Sequence, residues 1–274
     1  MDKKGSSPHE TALITGASSG IGLELAKRFA RDGFSLVLTA RSIDKLNQLA
    51  SRLKAQYGVA VRVIMKDLAK PEAPEEIFQE LNRAGISVDI LVNNAGFGSY
   101  GFFQKLDLAR ELKIIQVNIT ALTHLTKLFL PGMIEKRRGK ILNVASTAAF
   151  QPGPLMAVYY ATKAFVLSFS EAIANELKGT GVTVTCLCPG PTRSGFQEMA
   201  AIENVKIVKA GMMSSEEVAE IGYRALLQGK AVAVAGLRNK ILTFLVRFGP
   251  RSWVTSMVRF IQEEAHSMTG SSSV

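Results

Sequence analysis

Glycines are spaced through Thr15-Gly16-Ala17-Ser18-Ser19-Gly20-Ile21-Gly22, between a short apolar run and an amphipathic one. A strand-to-helix turn of this kind lets backbone approach a pyrophosphate and lets the helix pack closely on the preceding strand. The new helix offers unpaired N–H groups and the positive end of its dipole to the phosphates. Gly16, Ser18, Ser19, Gly20, Ile21 and Gly22 are therefore candidate phosphate-binding residues. The order is Gly-x-x-x-Gly-x-Gly, not the common Gly-x-Gly-x-x-Gly, and a tight turn with no ligand would also use glycine. About twenty residues on, NAD enzymes place an acid against the ribose 2′-hydroxyl. Here that stretch reads Thr39-Ala40-Arg41-Ser42, with no acid at its tip. The Arg41 guanidinium fork suits a 2′-phosphate and Ser42 can add a hydrogen bond, which favours NADP(H) over NAD. As plain structure, Ser42 would cap a helix, Arg41 would be a solvated side chain and Asp44 a partner of the helix dipole.

Further polar groups stand at intervals along the chain. They are Asp67, Asn93-Asn94-Ala95-Gly96, Asn118, Ser146, Tyr159-x-x-x-Lys163 and Pro189-Gly190-Pro191-Thr192. Tyr159 and Lys163 lie one turn apart on the same helical face. Each group has a structural alternative: Ser146 as a turn or cap, Asn118 as a cap or kink, Lys163 as a surface lysine. Taken in order, with the glycine turn, the set resembles the short-chain dehydrogenase/reductase family over roughly residues 10–235. Within that family the Thr39-Ala40-Arg41 turn and the basic tail look most like bacterial NADP-dependent oxidoreductases of unassigned substrate.

The resemblance implies roles. Tyr159 is the catalytic acid/base, and Lys163 lowers its pKa and holds the nicotinamide ribose. Ser146 hydrogen-bonds the substrate oxygen, and Asn118 holds a water that links Lys163 to a proton relay. Asn93, Ala95 and Gly96 flank the cofactor, Asp67 meets the adenine, and Pro189, Gly190 and Thr192 bracket the nicotinamide. The family spacing selects Tyr159 over its neighbour Tyr160, which is read as packing.

The elements that must position these residues are short apolar strands alternating with amphipathic helices. Strands are expected at Ala12–Thr15, Ser35–Thr39, Val61–Met65, Asp89–Val92, Lys140–Val144, Val182–Leu187 and Ala231–Ala235. Helices are expected at Ile21–Arg31, Asp44–Tyr57, Glu75–Ala84, Leu108–Glu135, Ala157–Lys178 and Ser215–Leu227. Near-continuous apolar strands joined by helices predict an α/β fold, a doubly wound parallel (Rossmann-type) sheet of about seven strands. The expected division is a tail over residues 1–9, a catalytic domain over 10–236, a helical appendage over 237–262 and a tail over 263–274. Residues 193–213, which carry Phe196, Met199, Ile202, Val205, Ile207, Val208, Met212 and Met213, are read either as a substrate lid or as an ordinary packed helix pair.

Composition bounds the rest. The 274 residues carry 47% apolar side chains and a net charge of +10, enough core for one large domain and no sign of wholesale disorder. No zinc-finger spacing or basic recognition helix accompanies the charge, so nucleic acid is not expected as a partner. Cys186 and Cys188 read as reduced thiols on one strand face, and the scattered His9, His124 and His266 suggest no metal site. A polar N-terminus without an apolar stretch argues against a signal peptide, which leaves the cytoplasm as the expected location. The family resemblance implies a homodimer or homotetramer paired through the Leu108–Glu135 and Ala157–Lys178 helices, which are long and apolar on more than one face. The appendage combines apolar faces with Arg238, Lys240, Arg247, Arg251 and Arg259. It would pack over the cleft or a neighbouring subunit, with peripheral membrane contact as the alternative. The family resemblance implies carbonyl/alcohol interconversion, expected on an apolar substrate, and the alternative is a non-catalytic dinucleotide-binding regulator or scaffold.

Overall fold

The structure, a computed structural model, describes residues 10–196, 200 and 211–263. Strand β1 (Thr11–Thr15) is buried along its whole length, as expected of a strand covered on both faces. Helix α1 (Gly20–Arg31) buries Leu25, Ala26, Phe29 and Ala30 at helical spacing. There follow β2 (Ser35–Ala40), α2 (Ile43–Tyr57), β3 (Val61–Met65), α3 (Ala73–Arg83) and β4 (Ile90–Asn93). Helix α2 ends where Gly58 takes a left-handed conformation and its N–H closes on the Lys54 carbonyl. The second half runs through α4 (Leu108–Ile115), α5 (Leu122–Glu135), β5 (Gly139–Val144), α6 (Ala157–Glu176) and β6 (Val182–Cys188). After the two-residue strands β7 (Thr192–Arg193) and β8 (Met213–Ser214) come α7 (Ser215–Leu227), β9 (Val232–Val234), α8 (Leu237–Leu245) and α9 (Arg251–Gln262).

Seven strands form one parallel sheet in the order β3-β2-β1-β4-β5-β6-β9. The strand order reverses between β1 and β4, where Ala12 pairs in parallel with Leu36 on one side and Ile90 on the other. Such a reversal opens a crevice beyond the carboxyl ends of the strands, where open α/β sheets bind ligands. One core packs α1, α2 and α7 against one sheet face, with Phe29, Leu46 and Tyr223 fully buried. The other packs α3, α5 and part of α6 against the opposite face. Cys186 and Cys188 are free and buried, their sulfurs 3.8 Å apart.

The expected Leu108–Glu135 helix is interrupted. A π-helical turn over Gln116–Ala121 separates α4 from α5. Such turns widen the backbone ring by one residue and occur often at functional sites; this one contains Asn118. Most of the lid expected over residues 193–213, the tail expected over 1–9 and all but the first residue of the tail expected over 263–274 lie outside the described residues.

A buried polar chain ties the sheet to both helices beneath it. Asn93 Nδ2 donates to Asn143 Oδ1 at 2.9 Å and to Thr126 Oγ1 at 3.1 Å, and Asn143 Nδ2 donates to Ser170 Oγ at 2.9 Å. Asn143→Ala strands Ser170 without its donor. We expect it to lower unfolding stability by about 2 kcal/mol in urea titration, with an unchanged denaturant slope.

Candidate active site

The glycine turn owes its shape to the loop after β4. Thr15 Oγ1 accepts the N–H groups of Asn94 and Ala95, both at 2.9 Å. Asn94 Nδ2 returns hydrogen bonds to the carbonyls of Thr15 (2.9 Å) and Gly16 (3.2 Å). Gly16 and Gly20 hold φ of 66° and 55°, in the left-handed region that favours glycine. A Cβ on Gly22 would lie 2.4 Å from the Gly16 carbonyl oxygen, so only glycine fits there. Ser19, at the N-cap of α1, makes no side-chain cap, and the first N–H groups of the helix have no intrahelical acceptor.

Ser146 follows β5. Its Oγ accepts the Ala148 N–H at 3.1 Å and donates to the Pro189 carbonyl at 3.4 Å. It therefore caps the short 3-10 turn Thr147–Phe150 and still faces Tyr159, with which it is hydrogen-bonded. Burial pushes the Tyr159 hydroxyl well above its ordinary pKa, against the opposing Ser146 hydrogen bond. Lys163 Nζ donates to the Val144 carbonyl at 2.9 Å and lies 5.7 Å from the centre of the Tyr159 ring. Burial pulls the Lys163 ammonium down to about 8. Desolvation disfavours both charged forms, and the expected lowering of the tyrosine pKa by this lysine is not among the causes of its shift.

These groups line one cavity of about 730 Å³ at the switch point. The expected residues Gly16, Ser18, Ser19, Gly20, Ile21, Arg41, Ser42, Asp67, Ala95, Gly96, Ser146, Tyr159, Lys163, Pro189, Gly190 and Thr192 all line it. Gly22, Asn93 and Asn118 do not. Gly22 supports the turn from behind, and the Asn93 side chain points into the core, so Asn94 is the asparagine that meets the cavity. Asn118 Oδ1 accepts the Phe97 N–H at 3.1 Å, and its Nδ2 donates to the Phe97 carbonyl and to Thr162 Oγ1. A Cβ on Gly96 would lie 3.1 Å from Asn118 Oδ1 and 3.4 Å from Lys163 Nζ, so these side chains meet behind Gly96. Ser42 occupies the N-cap of α2 but makes no side-chain cap.

Several lining residues escaped the sequence reading. Lys45, in the first turn of α2, also lines the cavity and carries no motif. Met156, Gln151 and Gln262 form part of the wall near Tyr159 and Tyr160 and carry no motif. Gln262 is the last residue of α9, so one face of the appendage packs over the cleft through Val254, Val258 and Gln262. Its other face, with Phe248, Trp253 and Phe260, is exposed. Among the described residues no helix is long and apolar enough to cross a membrane.

The short chain dehydrogenase family profile matches residues 10–204, and the chain belongs to that family of oxidoreductases. It is 39% identical over 184 residues to the very-long-chain 3-oxoacyl-CoA reductase of Anas platyrhynchos, a match covering 65% of this chain. That match spans only 58% of the relative's length. Among solved structures, a short-chain dehydrogenase from Sphingobium yanoikuyae in complex with NADPH is similar with 31% identity and a TM-score of 0.78, covering 94% of this chain and 99% of that one. The bulky-bulky ketone specific alcohol dehydrogenase from Comamonas testosteroni is similar with 31% identity and a TM-score of 0.76, covering 95% of this chain and 98% of that one.

A buried ammonium weighs on the fold. With its folded pKa near 8 and an ordinary value of 10.5, Lys163 carries its penalty in full below pH 8 and sheds it as pH climbs toward 10.5. The penalty is roughly 3 kcal/mol. Lys163→Met should therefore raise the melting temperature of the cofactor-free protein at pH 7, and the gain should shrink between pH 8 and 10.5. Calorimetry across that range measures it, and a lower melting temperature at pH 7 would sink the argument.

Proposed function

We propose that this chain is an NADP(H)-dependent oxidoreductase that interconverts a carbonyl and a primary or secondary alcohol on an apolar substrate, with Tyr159 as acid/base. The observation that carries this reading is the convergence of Ser146, Tyr159 and Lys163 with the glycine turn in one cavity. The cradle fits a dinucleotide. The Cβ-free approach at Gly22 and the open N–H groups of α1 suit a pyrophosphate. Thr39 lines the cavity, and its buried Oγ1 has no hydrogen-bond partner among the described residues.

In this reading Gly16, Ser18, Ser19, Gly20 and Ile21 hold the pyrophosphate, and Gly22 gives the helix its close approach. Arg41 and Ser42, joined by Lys45, face the 2′-phosphate, and Asp67 faces the adenine. Asn93, Ala95 and Gly96 shape the loop beside the cofactor, and Pro189, Gly190 and Thr192 bracket the nicotinamide. The cofactor, when bound, supplies or accepts the hydride. During reduction Ser146 donates a hydrogen bond to the substrate oxygen. Tyr159, kept protonated by burial, gives its proton to the same oxygen. Lys163 holds the ribose and returns a proton to Tyr159. Asn118, beside Lys163 behind Gly96, stands where the relay to solvent begins.

The substrate end is apolar, walled by Phe196, Met156 and Tyr160. The bulky-bulky ketone named for the Comamonas testosteroni enzyme supports the same class of substrate here. NADPH over NADH is supported by Arg41 and by the NADPH complex of the Sphingobium yanoikuyae enzyme. We place the protein in the cytoplasm as a homodimer or homotetramer, paired through the exposed apolar residues Leu108, Leu112 and Phe165. The outward face of α8 and α9, rimmed by Arg238, Arg247 and Arg251, meets either a neighbouring subunit or an anionic lipid surface.

Tyr159→Phe should abolish ketone reduction, followed at the reduced-nicotinamide absorbance band, while NADPH binding stays nearly intact. Tyr160→Phe should lose far less, and the reverse order would overturn the assignment. Tight NADPH binding with no turnover on a broad panel of ketones and aldehydes would favour a non-catalytic binder.

Arg41→Ala removes a charge-assisted phosphate contact, with an expected loss of about 1.5–3 kcal/mol in NADPH affinity and little change for NADH. Equal affinity of the unsubstituted protein for both cofactors would refute the preference.

Truncation after Ala235, compared with the full chain by light scattering and by flotation with anionic liposomes, separates the two occupants of the outward face. Loss of flotation with a retained oligomer assigns it to lipid. Loss of the oligomer, with no flotation of the full chain, assigns it to a subunit.

A further inference from the structure

The chamber beyond Tyr159 is not apolar on every side. Helix α9 closes it, with Val254 and Val258 packed into the cluster that contains Met156 and Tyr160. At its end Gln262 is 2% exposed and lines the cavity. Two tyrosines fix this residue. The Tyr100 hydroxyl donates to its backbone carbonyl at 2.6 Å, and its Nε2 donates to the Tyr160 hydroxyl. Its Oε1 is buried and has no partner among the described residues. Gln151, which ends the 3-10 turn begun at Ser146, lines the same cavity, and its Oε1 is also buried without a partner.

A buried acceptor left without a donor carries a penalty of roughly 1–3 kcal/mol, so such atoms are rare and call for a reason. Here two belong to side chains that line one chamber from separate elements, and both accept only. Ser146 and Tyr159 are already committed to the reacting oxygen. Among the described residues the only acid lining the cavity is Asp67, at the opposite end beside Lys66 and Leu68. A cationic donor would find no counter-charge at the Tyr159 end, so the matching group is neutral.

We propose that Gln151 and Gln262 form a subsite for a neutral hydrogen-bond donor, a hydroxyl or amide N–H, carried by an otherwise apolar ketone at a distance from its reacting carbonyl. The subsite deepens the reading of Tyr159 as proton donor and rests on it. It also gives the C-terminal helix a part in substrate selection.

Benzylacetone and its para-hydroxy and para-methoxy derivatives test this, since the three differ in donor content on one frame. Each is titrated into NADPH-loaded Tyr159→Phe protein by quenching of reduced-nicotinamide fluorescence, and each is assayed for reduction by the unsubstituted protein. The para-hydroxy compound should bind roughly tenfold more tightly than either of the others. Adding Gln262→Leu or Gln151→Leu to that background should collapse the preference toward unity. If Gln262→Leu releases α9 and unfolds the protein, Gln151→Leu carries the test alone. Equal binding of all three compounds, or a preference that survives the glutamine substitutions, overturns the subsite. A preference that behaves as expected while the unsubstituted protein reduces none of the three supports the subsite and overturns the carbonyl reductase reading instead.

Discussion

The hydrogen bonds between Thr15 and the loop after β4 are the constraint on which the site depends. One threonine hydroxyl accepts two backbone N–H groups from that loop and donates to the Val92 carbonyl. One asparagine amide, Asn94, then braces the first residues of the glycine turn. These contacts bridge the two strands that flank the reversal of strand order, where an open sheet has a gap to fill. The turn and the Asn94–Gly96 loop are shaped together. Through Gly96 the same loop abuts Asn118 and Lys163, so the phosphate end and the proton end of the cavity share one rigid piece of backbone.

Desolvation dominates the electrostatics at the proton end. The tyrosine is pushed toward its protonated form and the lysine toward its neutral form, and no carboxylate is among the causes of either shift. Such a site is costly to the fold and is kept in spite of its cost, as expected where function and stability compete. Packing holds it in place. The buried chain Asn93–Asn143–Ser170 locks β4, β5 and α6 together directly beneath it.

Much of this was legible in the residues. The seven strands are short and largely apolar, and each lies within a residue or two of its expected place; the inner strands are buried on both faces with little polar interruption, while the edge strand β3 exposes Arg62 and Met65. Ser146, Tyr159 and Lys163 follow strand ends and a helical turn, so their order along the chain already implied proximity. Other features left no local trace. Adjacent asparagines 93 and 94 point to opposite faces, and only the pairing of Asn93 with Asn143 in the sheet decides which one turns inward. Gln151 and Gln262 meet one cavity only because α9 folds back over the cleft, a long-range contact that periodicity does not encode. The continuous apolar pattern from Leu108 to Glu135 reads as one helix, since a single wider turn barely disturbs the period.

That wider turn sets a phase. Each residue advances an α-helix by about 100°, so one extra residue in a turn rotates everything after it by that angle relative to everything before. Upstream, α4 buries Glu111 and Ile114; downstream, α5 buries Leu122, Leu125, Phe129 and Met133 against the sheet. The π turn acts as a vernier between these two faces. It lets Asn118 turn inward to Phe97 and Thr162 without dragging the apolar stripe of α5 off the core. Natural variation in this stretch therefore faces an unusual arithmetic. Losing a single residue would leave a regular helix of good propensity, yet it would put either the asparagine or the core stripe out of step, while the residues on both sides remained unchanged.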